Sequence, residues 1–171
     1  MIRPAGGARV EAFIRANASD LLSYLERRVD PRADAADVLS DTFIVAWKKA
    51  GTAPVGEIDG RMWLFTIARN TLLNARRSTK RRLGATDRLR HELQHPSIAP
   101  DDLDVLAVRE AVMQLPDDLR ELIALVHWEG FSVAEAAQIT GVSASTARSR
   151  HASAKARLRI VLAVESTDST R

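Results

Sequence analysis

The stretch HELQH, residues 91–95, has the spacing H-E-x-x-H that zinc-dependent proteases use. On a helix, this spacing places His91 and His95 one turn apart, with Glu92 beside them as a general base. A protease site also requires a third ligand and a packed, dry setting that holds the ligands in place. The hydrolytic interpretation therefore depends on the segment in which the motif lies.

That segment is typical of a linker. Residues 83–104, LGATDRLRHELQHPSIAPDDLD, contain two prolines, a glycine and mixed charge. Pro96 directly follows His95 and disfavours helical geometry at that histidine. The chain has no cysteine, which excludes disulfides and thiolate zinc sites. We therefore expect polar linker residues with no bound metal or cofactor, and a zinc metalloprotease is only the remote alternative.

Helical periodicity dominates on both sides of this linker, and no alternating strand pattern is present. The sequence predicts an all-α protein with two small helical domains, residues 8–82 and 105–162, joined by a flexible linker. Helices are predicted near residues 8–29, 34–49, 61–82, 105–114, 117–129, 133–140 and 144–162. No apolar run approaches the roughly 18 residues of a membrane span, and the N-terminus has no signal-peptide apolar region. We therefore expect a cytoplasmic protein without membrane insertion.

Charge is distributed unevenly, although the net charge is only +3. Residues 69–90 carry eight Arg or Lys against one acid, and residues 148–159 carry five and no acid. Residues 30–41 carry four Asp against one Arg. Two basic stripes and one acidic stripe favour a protein that binds nucleic acid and a basic protein partner.

The segment FSVAEAAQITGVSASTARSRHASAKARLR, which begins at Phe131, has the pattern of a helix-turn-helix. Ser132 with Glu135 forms a capping box, Gly141 suits the turn, and Ser143 caps the second helix. The second helix has an inner arc of Ala147, Ala154, Leu158 and Val161, with His151 beside it as a packing residue. Its outer face suits a major groove and consists of Ser145, Arg148, Ser149, Ala152, Ala156 and Arg159. Upstream, a helix beginning at Pro116 is expected to place Leu119, Ile123, Val126 and Trp128 in the core.

The longer stretch REAVMQLPDDLRELIALVHWEGFSVAEAAQITGVSASTARSRHASAKARLR resembles region 4 of the extracytoplasmic-function (ECF) sigma factors of bacterial RNA polymerase. Three positions depart from that family's pattern: Ser145 replaces a Gly, His151 an apolar residue, and Ser153 an arginine. The resemblance implies that the second helix reads the promoter −35 element. The residues implied for this contact are Ser145, Thr146, Arg148, Ser149, Arg150, Ser153 and Lys155.

A second stretch, DAADVLSDTFIVAWKKA, resembles region 2.2 of the same family. Helical spacing predicts an inner arc of Ala35, Ala36, Leu39, Phe43, Ala46 and Trp47. Asp34, Asp37 and Asp41 fall on the opposite face. The resemblance implies that this acidic face docks on the clamp helices of the polymerase β′ subunit, whereas without it a solvated face would be the better interpretation.

A third stretch, RMWLFTIARNTLLNARRSTKRR, resembles regions 2.3 and 2.4, with Asn74 at a frequent Asp position. The predicted inner face contains Leu64, Ala68, Thr71, Leu72 and Ala75. The predicted outer face carries Arg69, Asn70, Asn74, Arg76, Arg77, Lys80 and Arg81. Basic and amide side chains suit an opened strand, because its phosphates need neutralising and its bases need hydrogen bonds. The residues implied for the −10 element are Trp63, Arg69, Asn70, Asn74, Arg77 and Arg81, although packing is the favoured role for Trp63.

The resemblance covers nearly the whole chain and predicts an ECF-type sigma factor rather than an enzyme. Residues 8–82 correspond to region 2, and residues 105–162 to region 4. The loop at residues 51–60 falls where the family holds a flipped −10 base. The implied partners are core RNA polymerase, through its β′ clamp helices and β subunit, promoter DNA and an anti-sigma factor. The alternative is a stand-alone helix-turn-helix regulator that dimerises on a palindrome, although no dimerisation helix is evident.

Overall fold

A computed structural model describes residues 6–82 and 103–168 of the chain, with the side chains of residues 6–79 and 107–163. Over these ranges the backbone forms α-helices and two short 3-10 helices but no strand, which confirms the predicted all-α class. The α-helices are α1 (Gly7–Glu26), α2 (Ala35–Lys48), α3 (Glu57–Arg82), α4 (Leu103–Met113), α5 (Asp117–His127), α6 (Val133–Thr140) and α7 (Ala144–Asp168). The 3-10 helices are Arg32–Asp34 and Ala50–Thr52.

The chain divides into two compact units between Ser97 and Ile98. The first unit contains α1 to α3, and the second contains α4 to α7. The HELQH motif at residues 91–95 lies outside the described residues. Where the structure describes the chain, no group of three or more His, Asp or Glu side chains is placed to hold a metal ion. Likewise, none of the helices in residues 6–82 and 103–168 is long and apolar enough to cross a membrane.

In the first unit, α1, α2 and α3 pack around a fully buried apolar core. The rings of Tyr24 and Phe65 meet edge to face at its centre, with centroids 5.3 Å apart, which is a favourable arrangement for aromatic pairs. The helices approach closely because Gly60 faces Phe13, and a Cβ at Gly60 would lie 2.4 Å from that ring. Close packing of α1 on α3 therefore requires glycine at position 60.

The inner face of α2 differs from the prediction. Its buried residues are Ala35, Val38, Thr42 and Ala46, whereas Ala36 is exposed and Trp47 is 38% exposed. Sequence reasoning placed the largest apolar side chains inward, but small and branched residues line the contact. Thr42 is buried without cost to its hydroxyl because that group donates to the carbonyl oxygen of Val38 at 2.7 Å.

Several helix boundaries also differ from the predictions, and α1 ends at Glu26 rather than at residue 29. Helix α3 begins at Glu57 rather than 61, because Glu57 and Asp59 supply the acidic first turn that the helix dipole favours. Only residues 53–56 of the predicted 51–60 loop are therefore irregular. Helix α4 begins two residues early, at Leu103. Helix α7 continues six residues past its predicted end.

In the second unit, α4, α5 and α7 share an apolar cluster that includes Val112, Ile123 and Ala154. Trp128 was predicted to lie in this core but is 41% exposed. Helix α5 ends at His127, and the chain turns at Gly130 with a φ of 73°. Phe131, only 4% exposed, enters the core after that turn. The prediction for Trp128 was wrong because it extended the helix through residue 129.

Candidate polymerase and DNA interfaces

The three predicted aspartates are all exposed along one side of α2, and we refer to Asp34, Asp37 and Asp41 as the acidic face. Asp34 makes no side-chain capping bond to α2. Among the described residues, no ion pair involves any of the three. Ile44, which is 50% exposed, lies three residues beyond Asp41 on the same outer side. The sequence prediction did not include this apolar neighbour.

The predicted −10 side chains lie along the solvent-facing side of α3. Asn70, Asn74 and Arg77 are exposed, whereas Arg69 and Trp63 are partly buried. The side chain of Arg81 lies outside the described residues. The opposite side of α3 is buried through Leu64, Phe65, Ile67, Ala68 and Leu72. These inner residues hold the helix so that its amide and basic side chains face solvent.

Arg76 has a structural contact that the sequence did not reveal. Its guanidinium donates to the carbonyl oxygen of Arg28, just past the end of α1, at 2.6 Å. The side chain of Arg28 in turn lies over the ring of Tyr24, with its central carbon 3.8 Å from the ring centroid. Arg76 therefore joins α3 to α1, while Arg77 remains on the exposed face.

The helix-turn-helix forms as its sequence predicts. The Ser132 hydroxyl accepts from the Glu135 N–H at 3.2 Å, and the Glu135 carboxylate accepts from the Ser132 N–H at 2.7 Å. Gly141 adopts a φ of 72° and ends α6. The hydroxyl of Ser143 then accepts from the Thr146 N–H at 3.1 Å, which caps α7. These local contacts set the direction in which α7, the recognition helix, leaves the turn.

Five of the seven predicted −35 residues are exposed on α7: Ser145, Arg148, Ser149, Ser153 and Lys155. Ser145, Thr146 and Arg150 take part in contacts within the second unit. The Ser143 hydroxyl bonds to the hydroxyls of Ser145 at 2.9 Å and Thr146 at 2.8 Å. Arg150 pairs with Asp118 of α5, with Nε 3.2 Å from the carboxylate oxygen. Arg150 therefore connects two helices of the unit.

His151 also contacts α5. Its Nε2 atom lies 3.1 Å from Nε2 of His127, the last residue of α5. Desolvation, together with the charges of His127 and Lys155, lowers the pKa of His151 below its usual value. The sequence favoured a packing role for His151, but no periodicity within one helix could show that it meets a second histidine.

Family models match both units of the chain. The model described as Sigma-70 region 2 matches residues 13–82, and the model described as Sigma-70, region 4 matches residues 106–158. The ECF RNA polymerase sigma factor SigL of Mycobacterium tuberculosis is 33% identical over 170 residues, covering 95% of this chain and 96% of the relative. BldN of Streptomyces coelicolor, another ECF sigma factor, is 32% identical over 123 residues, covering 69% of this chain and 47% of the relative.

Solved structures share the fold. The sigma factor RpoE of Bartonella quintana, crystallised in complex with the anti-sigma factor NepR, superposes with a TM-score of 0.73 at 28% identity. That match covers 91% of this chain and 98% of the other. CnrH, solved with the cytosolic domain of CnrY, has the same fold, with a TM-score of 0.63 at 24% identity over 91% of this chain and 88% of the other.

A helix-turn-helix in one unit, with an acidic and a basic helix face in the other, is the arrangement of a DNA-binding protein that also has a protein partner. The chain belongs to the ECF family of RNA polymerase sigma factors. As the sequence predicted, it is a promoter-directing subunit that binds core polymerase and promoter DNA, and it is not an enzyme.

Proposed function

We propose that the two units divide promoter recognition between them. Residues 8–82 bind core polymerase and the −10 element, residues 105–162 bind the −35 element, and residues 83–104 connect them. The observation that carries this proposal is the separation of surfaces. The acidic face and the basic side of α3 lie in the first unit, and the exposed side of α7 lies in the second.

The acidic face is the contact with core polymerase. Its three carboxylates are exposed and point away from Ala35, Val38 and Ala46, on which α2 packs. A basic partner surface gains electrostatic attraction there without disturbing the packing. Ile44 adds apolar area beside the carboxylates, as the centre of a protein interface requires. We assign this face to the clamp helices of β′.

The outer side of α3 holds the opened −10 strand. Asn70 and Asn74 are exposed four residues apart, and each offers both a donor and an acceptor to an unpaired base edge. Arg69 and Arg77, with Arg81 farther along the helix, neutralise phosphates. Trp63 is partly buried, and this supports packing as its main role. Residues 53–56, which precede α3, are the segment that we assign to the contact with a flipped −10 base.

The exposed side of α7 reads the −35 duplex. Arg148 lies in the second turn of α7, and the N-terminal turns of a recognition helix meet base edges in docked helix-turn-helix proteins. Arg148 is the candidate for a bidentate contact to guanine. Ser149, Ser153 and Lys155 contact phosphate or groove edges, and Ser145 and Thr146 position the first turn. Arg150 contributes mainly through its pair with Asp118.

The protein works in the cytoplasm, where core polymerase is found, and is held inactive by an anti-sigma factor. The first inference is supported by its relatives, which are RNA polymerase sigma factors. The second is supported by the RpoE structure, which holds its sigma factor in complex with an anti-sigma factor. The β subunit of polymerase completes the set of proposed partners.

The test of this proposal is charge reversal on the acidic face. Asp37→Arg with Asp41→Arg should reduce the affinity for core polymerase at least tenfold, because like charges at an interface cost several kcal/mol. The matched control, Glu11→Arg with Asp20→Arg, makes the same charge change on α1, where it breaks the ion pairs of Glu11 with Arg15 and of Asp20 with Arg61. Holoenzyme formation is measured by titration with labelled core, and circular dichroism verifies folding. Equal affinity for both double variants would contradict the assignment.

A further inference from the structure

The side chains of His127 and His151 meet head to head rather than face to face. Their Nε2 atoms are 3.1 Å apart, their ring centroids are 5.4 Å apart, and the two ring planes are 13° from parallel. The centroids are thus 2.3 Å farther apart than the nitrogens, which corresponds to two imidazole ring radii. Both nitrogens therefore lie on the line that joins the ring centres, which is the geometry of a straight N–H···N hydrogen bond.

A straight bond between two Nε2 atoms accommodates one proton and not two. When one ring carries the Nε2 proton, it donates to the lone pair of the other ring. A single positive charge on the pair leaves this bond in place and strengthens it. When both rings are imidazolium, two N–H groups point at each other, and the rings must separate. The number of protons on the pair therefore determines whether α5 and α7 are joined here.

The surroundings of the pair oppose the second proton. His127 is the last residue of α5. On α7, Lys155 lies one turn beyond His151, and its charge, that of His127 and desolvation all lower the pKa of His151. Two carboxylates on the neighbouring helices, those of Asp118 and Glu135, are engaged elsewhere.

Asp118 of α5 pairs with Arg150, and Glu135 of α6 accepts from the Ser132 N–H. Glu129, beyond the end of α5, is buried, and it is not among the groups that lower or raise the pKa of His151. The groups that act on the pKa of His151 therefore include two cations, His127 and Lys155, and no carboxylate that would stabilise the second proton.

The same geometry distinguishes the pair from a metal site. Two imidazoles that bind one zinc ion direct their lone pairs at a common point off the line between the nitrogens, about 2.0–2.1 Å from each. In this pair the N–H bond of one ring and the lone pair of the other lie along that line, so no metal ion fits between the rings as they stand. Within the described residues, no third His, Asp or Glu completes a ligand set.

We propose that the His127–His151 pair is a proton-sensitive contact that fixes the recognition helix on α5, so that acidification weakens the discrimination of −35 DNA. The effect of protonation on DNA discrimination rests on the proposed assignment of α7 to the −35 element. Loss of the contact frees one side of α7 between Arg148 and Lys155. The added positive charge increases attraction for any duplex, so the loss appears in the ratio of specific to non-specific binding.

The direction of the pH effect on the contact follows from the lowered pKa of His151. The folded chain binds the proton on His151 less readily than the unfolded chain, so protonation favours opening of the contact. The contact is therefore fully formed above about pH 6.5, the ordinary value for histidine, and weakens as the pH falls below it. One proton changes an equilibrium by at most about tenfold per pH unit, which sets the upper limit of the effect.

The experiment compares the full-length wild type with His127→Leu, His151→Leu and the double variant between pH 7.5 and 5.5. Amide hydrogen exchange in α5 and α7 reports the contact, and imidazole nitrogen shifts of the wild type report protonation even if a variant folds poorly. Binding of a −35 duplex and of a scrambled duplex at fixed salt gives the specificity ratio. In the wild type, we expect amide protection in α5 and α7 and the specificity ratio each to fall about threefold to tenfold from pH 7.5 to 5.5. In the variants, we expect neither quantity to change with pH.

Each outcome has a defined meaning. The same pH dependence in the wild type and in both single variants overturns the proton-sensitive contact. A pH-dependent contact with a constant specificity ratio overturns its coupling to DNA. If added zinc increases the amide protection of α5 and α7, and does so only when both histidines are present, the pair is a metal site rather than a proton-sensitive contact. That result overturns the proposal. If no −35 duplex binds at any pH, the assignment of α7 fails, while hydrogen exchange still decides whether the contact responds to protons.

Discussion

Helices α2 and α7 both present side chains to a proposed partner, but they are held in different ways. The side-chain hydrogen bonds that the structure describes for α2 stay within the helix, from Ser40 and Thr42 to carbonyl oxygens four residues earlier. Helix α2 is thus held in place by packing. Helix α7 also packs, through Ala154, in the apolar cluster of the second unit, but polar contacts of Arg150 and His151 join it to α5 in addition, each within three residues of Arg148.

This difference has a consequence for mutagenesis. Substitutions on the outer side of α2 should change binding without moving the helix, because the residues that hold it lie on its other side. Substitutions near Arg148 on α7 should change both the binding surface and its support. Three predictions, in order of decreasing effect, test this contrast.

The largest effect is expected from Phe65→Ala in the core of the first unit. Phe65 is fully buried against Tyr24, and truncation of a buried Phe costs about 3–5 kcal/mol of folding free energy. Denaturant unfolding should show this loss in the first unit, together with loss of core-polymerase binding. Binding of the isolated −35 duplex should be retained, because Phe65 does not belong to the second unit. Unfolding of both units together would show that they are not independent.

A smaller effect is expected from Arg148→Ala on the exposed side of α7. A bidentate contact to guanine is worth about 1–3 kcal/mol of discrimination, so preference at one −35 position should relax. Lys155→Ala is the matched comparison, for which we expect a uniform loss and a shallower salt dependence. Transcription from a library randomised at the −35 element measures both. A uniform loss for Arg148→Ala would reject base readout by this residue.

The smallest effect is expected from Asp118→Asn, which removes the partner of Arg150 and leaves α7 otherwise intact. The two side chains of this pair are 36% and 49% exposed, so solvent screening limits the cost to below about 1 kcal/mol. Thermal unfolding of the second unit should move by a few degrees at most. A loss of several kcal/mol would show that this polar contact, rather than the apolar cluster around Ile123, positions α7.

Features governed by local rules could be predicted from the sequence. The capping box at Ser132 and the positive φ of Gly141 depend on residues close in the chain, and the structure contains both. Features that depend on distant elements could not be predicted. The burial of Thr42 instead of Trp47 depends on how closely α2 approaches its neighbours.

The candidate site shows the same division. Exposure of Arg148 and Asp37 follows from helical spacing alone, and the structure places both in solvent. Engagement of Arg150 by Asp118 and the meeting of His127 with His151 join residues more than twenty positions apart. Spacing within a helix carries no information about these pairs.

The contact between Gly60 and Phe13 has a consequence for how this sequence can change over time. A side chain at position 60 would enter the space that the ring of Phe13 fills. A substitution at position 60 is therefore accessible only after position 13 has become smaller, and the order of the two changes is fixed. Homologous chains with a larger residue at position 60 should carry a residue smaller than phenylalanine at position 13, so the two positions should vary together.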